Sequence, residues 1–302
     1  MQNATKKPDI KSTFKSLDTE EPIDIYFYRP IGYWWAVLFG KLGVSPNAIT
    51  IASIFIGMAA GICFYFQDIY IILAGILLLI WANMFDSADG QLARMTGQFS
   101  PIGRLLDGFS GDVWFFTIYF FVCLRLTPEW GFWIWLLGAV AGFSHTKQAA
   151  TADYYRNIHL LFLKGKEGSE WANTRTLKEE YKTLSWKKNF IIKLGNIIYT
   201  NYTAGQEKLS PKFQKMMKAL YGKYDETPEW FREAFRAKSL PLMKYANMLS
   251  FNTRVIALFV SLLINIPWLY FVFELTVLNS MLVYMVVTHE RFCADFTKQI
   301  ES

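Results

Sequence analysis

Residues 70–85 read YIILAGILLLIWANMF, residues 113–124 read VWFFTIYFFVCL, and 85–112 between them reads FDSADGQLARMTGQFSPIGRLLDGFSGD. The two flanking runs decide the fold. Each is continuously apolar, without the alternation that marks a half-buried strand. Only helices and closed barrels cross lipid, because every backbone polar group there needs an internal partner. Unbroken apolar runs of about 20 residues suit a spanning helix. The chain therefore reads as an all-α polytopic membrane protein. Four aspartates, Asp86, Asp89, Asp107 and Asp112, sit at the ends of these two runs. Charge at membrane depth is costly and usually functional.

Composition agrees: of 302 residues, 53% are hydrophobic and 18% aromatic. Six spans are predicted, at 46–66, 69–90, 104–126, 129–150, 251–271 and 272–292, the last two joined around Pro267 to Glu274. The polar N-terminus MQNATKKPDIKSTFKS has no apolar h-region, so no cleaved signal peptide is expected. The connection 147–250 holds 19 Lys/Arg against 10 Asp/Glu, whereas Gln67-Asp68 and 125–130 together hold one basic residue, Arg125. Basic loops stay in the cytoplasm. Both termini, the 91–103 loop and the long insert are thus expected on the cytoplasmic side of an inner membrane. Trp34, Trp35, Trp130, Trp133 and Trp268 lie near span ends, as an aromatic belt would.

The chain divides into a flexible tail (1–22), an interfacial helix (23–44), spans one to four (45–164), a cytoplasmic helical insert (165–250) and spans five and six with a C-terminal tail (251–302). Ser45 is the expected N-cap of the first span, with Pro46 at its first helical position. Ser210-Pro211 marks a helix start in the insert, whose stretches 186–200 and 209–221 are amphipathic and read as surface-lying or membrane-dipping. Cys63, Cys123 and Cys293 are isolated, and neither a C-x-x-C pair nor an H-E-x-x-H run occurs. No disulfide framework or zinc site is expected. His145, His159 and His289 read as structural polar residues near span ends.

The aspartates carry the chemistry. Asp86 and Asp89 are three apart, so they share a helix face. Gly90 and Ala93 continue that face with small residues, where a ligand approaches the backbone, and Arg94 follows. Two carboxylates on one face repel unless a cation lies between them, and hard oxygen ligands suit Mg²⁺, Mn²⁺ or Ca²⁺. A second acidic pair from the next helix, Asp107 and a partner, would complete a two-metal clamp of the kind that stabilises displacement at phosphorus. Arg94 and Arg104 would flank the phosphates. A single Asp here would be a cap or a turn residue. Four, in two pairs around one turn, outweigh that reading.

These residues resemble the CDP-alcohol phosphotransferase family, whose pattern is D-x2-D-G-x2-A-R-x8-G-x3-D-x3-D. This chain has Asp86-x2-Asp89-Gly90-x2-Ala93-Arg94, eight residues, then Gly103-x3-Asp107. Arg29-Pro30, and Gly43-Val44-Ser45-Pro46-Asn47-x2-Thr50 at the start of the first span, are similar to the family as well. The resemblance covers about 25–155. It implies six spans, a homodimer, a CDP-linked alcohol and lipid as substrates, two divalent metals (Mg²⁺ or Mn²⁺), and transfer of the phospho-alcohol to a hydroxyl with release of CMP. It implies Asp86, Asp89, Asp107 and the last Asp as metal ligands, that last Asp also as general base, and Asn47, Thr50, Gly90, Ala93 and Arg94 as the CDP-binding face. No nucleic-acid partner is implied.

The chain departs at one place. Four residues after Asp107 stands Gly111, and the carboxylate falls at Asp112. On a regular helix this turns it about 100° past the expected direction. A π-bulge near Gly108 to Gly111 would restore the face, and such bulges favour functional sites. The alternatives are a base elsewhere or a lost reaction, the latter leaving a non-catalytic CDP-lipid binder. Two versions of the reaction stay open. One takes CDP-diacylglycerol and a polar acceptor such as inositol phosphate or glycerol phosphate. The other takes CDP-choline or CDP-ethanolamine and a lipid acceptor, diacylglycerol or ceramide. Lys147, Arg156 and Arg254, with Arg104, are candidate cations for a phosphorylated acceptor, which favours the first version. A transporter is disfavoured, because the acids cluster on one side of the bilayer.

Overall fold

Helix starts follow from capping residues that satisfy the first free N–H groups of each run. Ser45 caps α2 (Pro46–Cys63) by accepting from the Ala48 N–H at 3.3 Å. Asp68 caps α3 (Ile69–Thr96) through the Tyr70 and Ile71 N–H groups at 2.9 and 3.2 Å. Ser100 caps α4 (Pro101–Trp130), accepting from the Gly103 N–H at 2.8 Å. Gly97, at φ 68°, ends α3 in the left-handed conformation that glycine adopts without a Cβ penalty. The computed structural model describes residues 16–302 other than Lys166, Glu167, Glu170 and Lys188, and only the backbone of Pro101 and Arg104.

The described residues are helical and carry no strand. A π-helical turn, Asp24–Tyr28, runs into α1 (Arg29–Lys41). After α4 come α5 (Trp133–Lys164), α6 (Thr174–Thr183), α7 (Phe190–Leu209), α8 (Pro211–Lys223), α9 (Glu229–Met248), α10 (Phe251–Leu263) and α11 (Trp268–Phe273). A second π-helical turn, Glu274–Leu278, joins α11 to α12 (Asn279–Glu301). Of the expected flexible tail, residues 1–15 lie outside the described residues, and the remainder is tied down. Glu20 pairs with Arg29 at 2.8 Å, and Thr19 is buried.

Among the described residues, five helical stretches are long and apolar enough to cross a membrane: Pro46–Cys63, Ile69–Thr96, Leu105–Trp130, Glu229–Leu263 and Trp268–Glu301. The expected fourth span, 129–150, is not among them. Its apolar stretch on α5 ends at Phe143, and Ser144, His145, Thr146, Lys147 and Gln148 follow. The expected boundary between the last two spans is also displaced. The chain breaks between Leu263 and Trp268, where Asn265 takes φ 59° and precedes Ile266-Pro267, and Glu274 lies within helix.

The chain forms two compact units. The first comprises Met1–Gly142 and Leu258–Phe271. Here α2 packs along α3 and α4, and α1 along α3. Close approach of α2 to α4 depends on two glycines one turn apart. A Cβ on Gly57 would enter the Trp114 ring, and one on Gly61 would stand 3.0 Å from the Ile118 backbone nitrogen. Small-x3-small spacing of this kind lets membrane helices touch backbone to backbone. Ala36, Ile49, Phe85, Ala88 and Leu92 close a core among α1, α2 and α3.

The second unit comprises Phe143–Ala257 and Val272–Ser302. The sequence reading separates the insert from the C-terminal helix, yet α8 and α9 pack onto α12. Phe213, Met216, Leu220, Phe231 and Phe235 from the insert share a core with Met285, Phe292, Cys293, Phe296 and Ile300. The face of α12 that reads as apolar enough for lipid is, in its last turns, a protein core.

Candidate active site

The first unit brings three of the four expected aspartates together. Asp86 and Asp89, on the C-terminal turns of α3, meet Asp107 of α4 so that one carboxylate oxygen from each lies within 4.8 Å of the others. Asp89 is 3% exposed, and Asp107 opens to the surface. Among the described residues, neither Asp86 nor Asp89 has an ion-pair partner. Hydroxyls hold them instead. Thr50 of α2 donates to Asp89 Oδ2 and also lies 3.2 Å from the Pro46 carbonyl oxygen. Ser110 of α4 donates to Asp86 Oδ1 at 2.8 Å and contacts the Asp107 carbonyl at 2.9 Å.

This donor set fits hard divalent cations. Three carboxylates crowd one locus, one of them buried, and neutral hydroxyls hold Asp86 and Asp89 there. Negative charge crowded in this way is expensive away from water, and Mg²⁺ or Mn²⁺ would neutralise it with the oxygen ligands that both ions prefer. A second observation points to an anion beside it. Arg94 Nε is buried without a hydrogen-bond partner, and the Arg94 guanidinium lies where a Cβ on Gly90 would meet its Nη1 at 3.4 Å. The nearest atoms to such a Cβ all belong to the Arg94 guanidinium, so a cation lies over the Gly90 face.

Asn47 closes the same end of the unit. Its side chain exchanges hydrogen bonds with Ser100 at 3.3 and 3.4 Å, linking the first turn of α2 to the cap of α4. A Cβ on Gly103 would collide with the Asn47 amide oxygen, so the glycine that stands eight intervening residues after Arg94 is required for this approach. Gln91, fully buried, donates to the Arg29 carbonyl at 3.1 Å and ties α1 to α3 beside the acids.

Asp112 is not in the cluster. The expected π-bulge is absent. Residues 101–130 run as regular α-helix, and the π turns among the described residues lie at Asp24–Tyr28 and Glu274–Leu278. With no residue absorbed, the five-residue interval from Asp107 leaves Asp112 rotated off the face and exposed. The group that reaches back toward Asp86 from the turn after Asp107 is the Ser110 hydroxyl.

The expected acceptor cations fare differently. The Arg104 side chain lies outside the described residues. Lys147 rests 5.5 Å from the Phe143 ring centroid. Arg156 binds Asn247 and Ser250 at 3.1 and 2.7 Å. Arg254 is a correction. It is 1% exposed, and its guanidinium is spent within the second unit on Glu274 (2.7 Å), His145 (2.6 Å), Gln148 (3.2 Å) and the Leu249 and Ser250 carbonyls (2.7 and 2.9 Å). It holds helices together and has no N–H left for a substrate. Sequence reading missed Ser100, Ser110 and Gln91. Ser100 was recoverable, because Ser100-Pro101 repeats the Ser-Pro helix start of Ser45-Pro46. Ser110 and Gln91 act through tertiary geometry that spacing does not show.

The three clustered aspartates fall within a segment that matches known proteins. Residues 43–159 match the family model of CDP-alcohol phosphatidyltransferase, less than half of the chain. An archaetidylinositol phosphate synthase of Pyrococcus horikoshii is 45% identical over 67 residues, which is 22% of this chain and 34% of that protein. An uncharacterized protein of Aquifex aeolicus is 41% identical over 69 residues, 23% of this chain and 34% of its own length. The chain thus spans about a third of the curated relatives it matches.

Proposed function

We propose, taking the CDP-alcohol phosphatidyltransferase domain at residues 43–159 as the premise, that the protein is an integral-membrane enzyme of phospholipid synthesis. It transfers a phosphatidyl-type group from a CDP-activated lipid to a polar phosphorylated alcohol, with inositol phosphate or glycerol phosphate as the favoured acceptor class. The observation that carries this is the convergence of Asp86, Asp89 and Asp107 on one locus inside the matched segment. The name of the Pyrococcus relative supports the acceptor class.

In this reading Asp86, Asp89 and Asp107 hold two divalent cations, Mg²⁺ or Mn²⁺. When bound, these ions neutralise and polarise the diphosphate. Thr50 and Ser110 fix the carboxylates from outside, as the supporting shell of a metal site does. Gly90 and Ala93 admit the nucleotide to the α3 backbone, Arg94 takes a phosphate oxygen, and Asn47 orders the rim. The acceptor hydroxyl oxygen forms a bond to the lipid-bearing phosphorus. The bond from that phosphorus to the bridging oxygen breaks, and CMP leaves with the electron pair. The hydroxyl proton passes to Asp112, which requires α4 to shift register at Gly108–Gly111. Nothing packs there: a Cβ on either glycine would meet no atom within 4 Å. The enzyme is proposed to sit in the inner membrane as a homodimer with the acids facing the cytoplasm.

The regular helix at 107–112 supports one second reading, a relative that binds CDP-lipids without turnover. A CMP-release assay on purified protein decides between the two, crossing CDP-diacylglycerol and CDP-choline with inositol phosphate, glycerol phosphate and diacylglycerol, with Mg²⁺ or Mn²⁺. The proposal expects CMP equal to lipid product with the first donor, and a loss of at least about 10²-fold in Asp89→Asn. Binding of CDP-lipid without CMP release for any pair would establish the second reading.

A further inference from the structure

The second unit contains another cluster of potential ligands, which the activity proposed above does not use. His289, Glu290 and Cys293 lie on one side of α12 and are 1%, 8% and 0% exposed. One potential ligand atom from each lies within 4.8 Å of the others. His289 Nδ1 stands 3.6 Å from Cys293 Sγ and 3.9 Å from Glu290 Oε1. Zinc–nitrogen bonds of about 2.0–2.1 Å and zinc–sulfur bonds of about 2.3 Å, meeting at a tetrahedral angle, separate the two donors by about 3.6 Å. The imidazole–thiol edge already has that length.

Three further observations bear on the cluster. The Tyr155 ring stacks on His289 at a centroid distance of 3.9 Å and 14° between planes, which fixes the imidazole plane. The ring's polar neighbours both lie at Nδ1, the Cys293 thiol and the Glu290 carboxylate, while Nε2 on the opposite edge is buried without a hydrogen-bond partner. Glu290 accepts the Lys212 N–H at 2.7 Å and the Phe213 N–H at 3.2 Å, which seats it on the first turn of α8. Its Oε1 keeps a lone pair beyond the bond to Phe213.

We propose that His289, Glu290 and Cys293 form a second metal site, for a thiophilic divalent cation of the zinc class, distinct in chemistry from the carboxylate centre. Nitrogen and sulfur donors select such ions over Mg²⁺. The charges balance: on binding, Cys293 releases its thiol proton to solvent, and thiolate and carboxylate together neutralise a doubly charged ion in a buried place. Because Glu290 also holds the α8 N-terminus, the ion would fasten the insert to α12. Zinc motifs built on paired cysteines miss this H-E-x2-C spacing, in which His289 and Cys293 stand one helical turn apart.

Cobalt reports on such a site directly, through a near-ultraviolet thiolate-to-metal charge-transfer band. Chelator-stripped, detergent-purified full chain is titrated with Co²⁺. The expected band saturates at about one ion per chain, is displaced by Zn²⁺ but not by Mg²⁺, persists in Asp89→Asn and is lost in Cys293→Ala. No band in the wild type, or an undiminished band in Cys293→Ala, overturns the proposal. A second measurement needs no change in the cluster: in the Asp89→Asn background, Zn²⁺ raises the thermal unfolding midpoint. An unchanged midpoint overturns it equally.

Discussion

At the residue scale the sharpest question is the pair Gly111 and Asp112. The family-like spacing places a carboxylate where this chain has a glycine with open space around it. Asp112→Asn should lower CMP release by about 10²–10⁴-fold, the usual contribution of general acid–base catalysis. Moving the carboxylate back, in Gly111→Asp with Asp112→Asn, should restore much of the rate, because the added side chain meets no neighbour. Unchanged turnover in Asp112→Asn removes Asp112 from the mechanism. Thr50 offers an independent test. Its hydroxyl donates to buried Asp89, so Thr50→Val should raise the Mg²⁺ concentration for half-maximal activity by about 10–100-fold while leaving the fold intact. An unaltered metal requirement would show that Thr50 does not tune the ligand. At this scale the pairing of Asp86 with Asp89 was legible, because a three-residue interval on a helix fixes a shared face, whereas the expected fourth acid, Asp112, lies outside the cluster. Ser110 was not legible, since a serine one turn past Asp107 has no sequence mark until α3 and α4 are packed.

At the level of elements, the turns were legible and the packing was not. Ser45 and Pro46 announce the start of α2, and the structure places the cap there. The break after α10 was misplaced because hydrophobicity runs through it. Asn265, at φ 59°, stops the helix, and its side chain accepts from Arg125 at 2.6 Å, an interaction 140 residues away in sequence. The contact of α2 with α4 is where sequence alone says least and the structure says most. Gly61 faces backbone at 3.0 Å, and backbone cannot move aside as a flexible side chain can. Gly61→Val should therefore push α2 from α4 and destabilise the first unit by about 1–3 kcal/mol, the range for overpacked cores. Thermal unfolding in detergent would read this as a lower midpoint. Weaker Mg²⁺ activation should accompany it, since Thr50 reaches Asp89 from α2. A midpoint equal to wild type would show that the interface has slack.

For the whole molecule, the open matter is the parity of its spans. Among the described residues, five stretches meet the length and hydropathy of a membrane helix, and five crossings would put the termini on opposite faces. The sequence reading has six, with the termini together. The difference rests on α5, whose apolar part gives way to polar residues near its middle. In the second unit those residues are satisfied by protein: Gln148 donates to the Glu274 carbonyl at 3.0 Å and to Asn279 at 2.9 Å, and His145 lies against Arg254. Polar side chains at membrane depth face protein partners rather than lipid, and a span built that way scores poorly on hydropathy without ceasing to cross. The prediction is therefore six crossings. A reporter that fluoresces only in the cytoplasm, fused after Met1 or after Ser302, should fluoresce at both ends. A reporter active only outside the cytoplasm should work when inserted at Gly131–Phe132, between α4 and α5. Fluorescence at the N-terminal fusion alone, with the external reporter active after Ser302, would mean that α5 stays on one side. The Lys/Arg balance of the 147–250 connection would then have misled the orientation of everything after it.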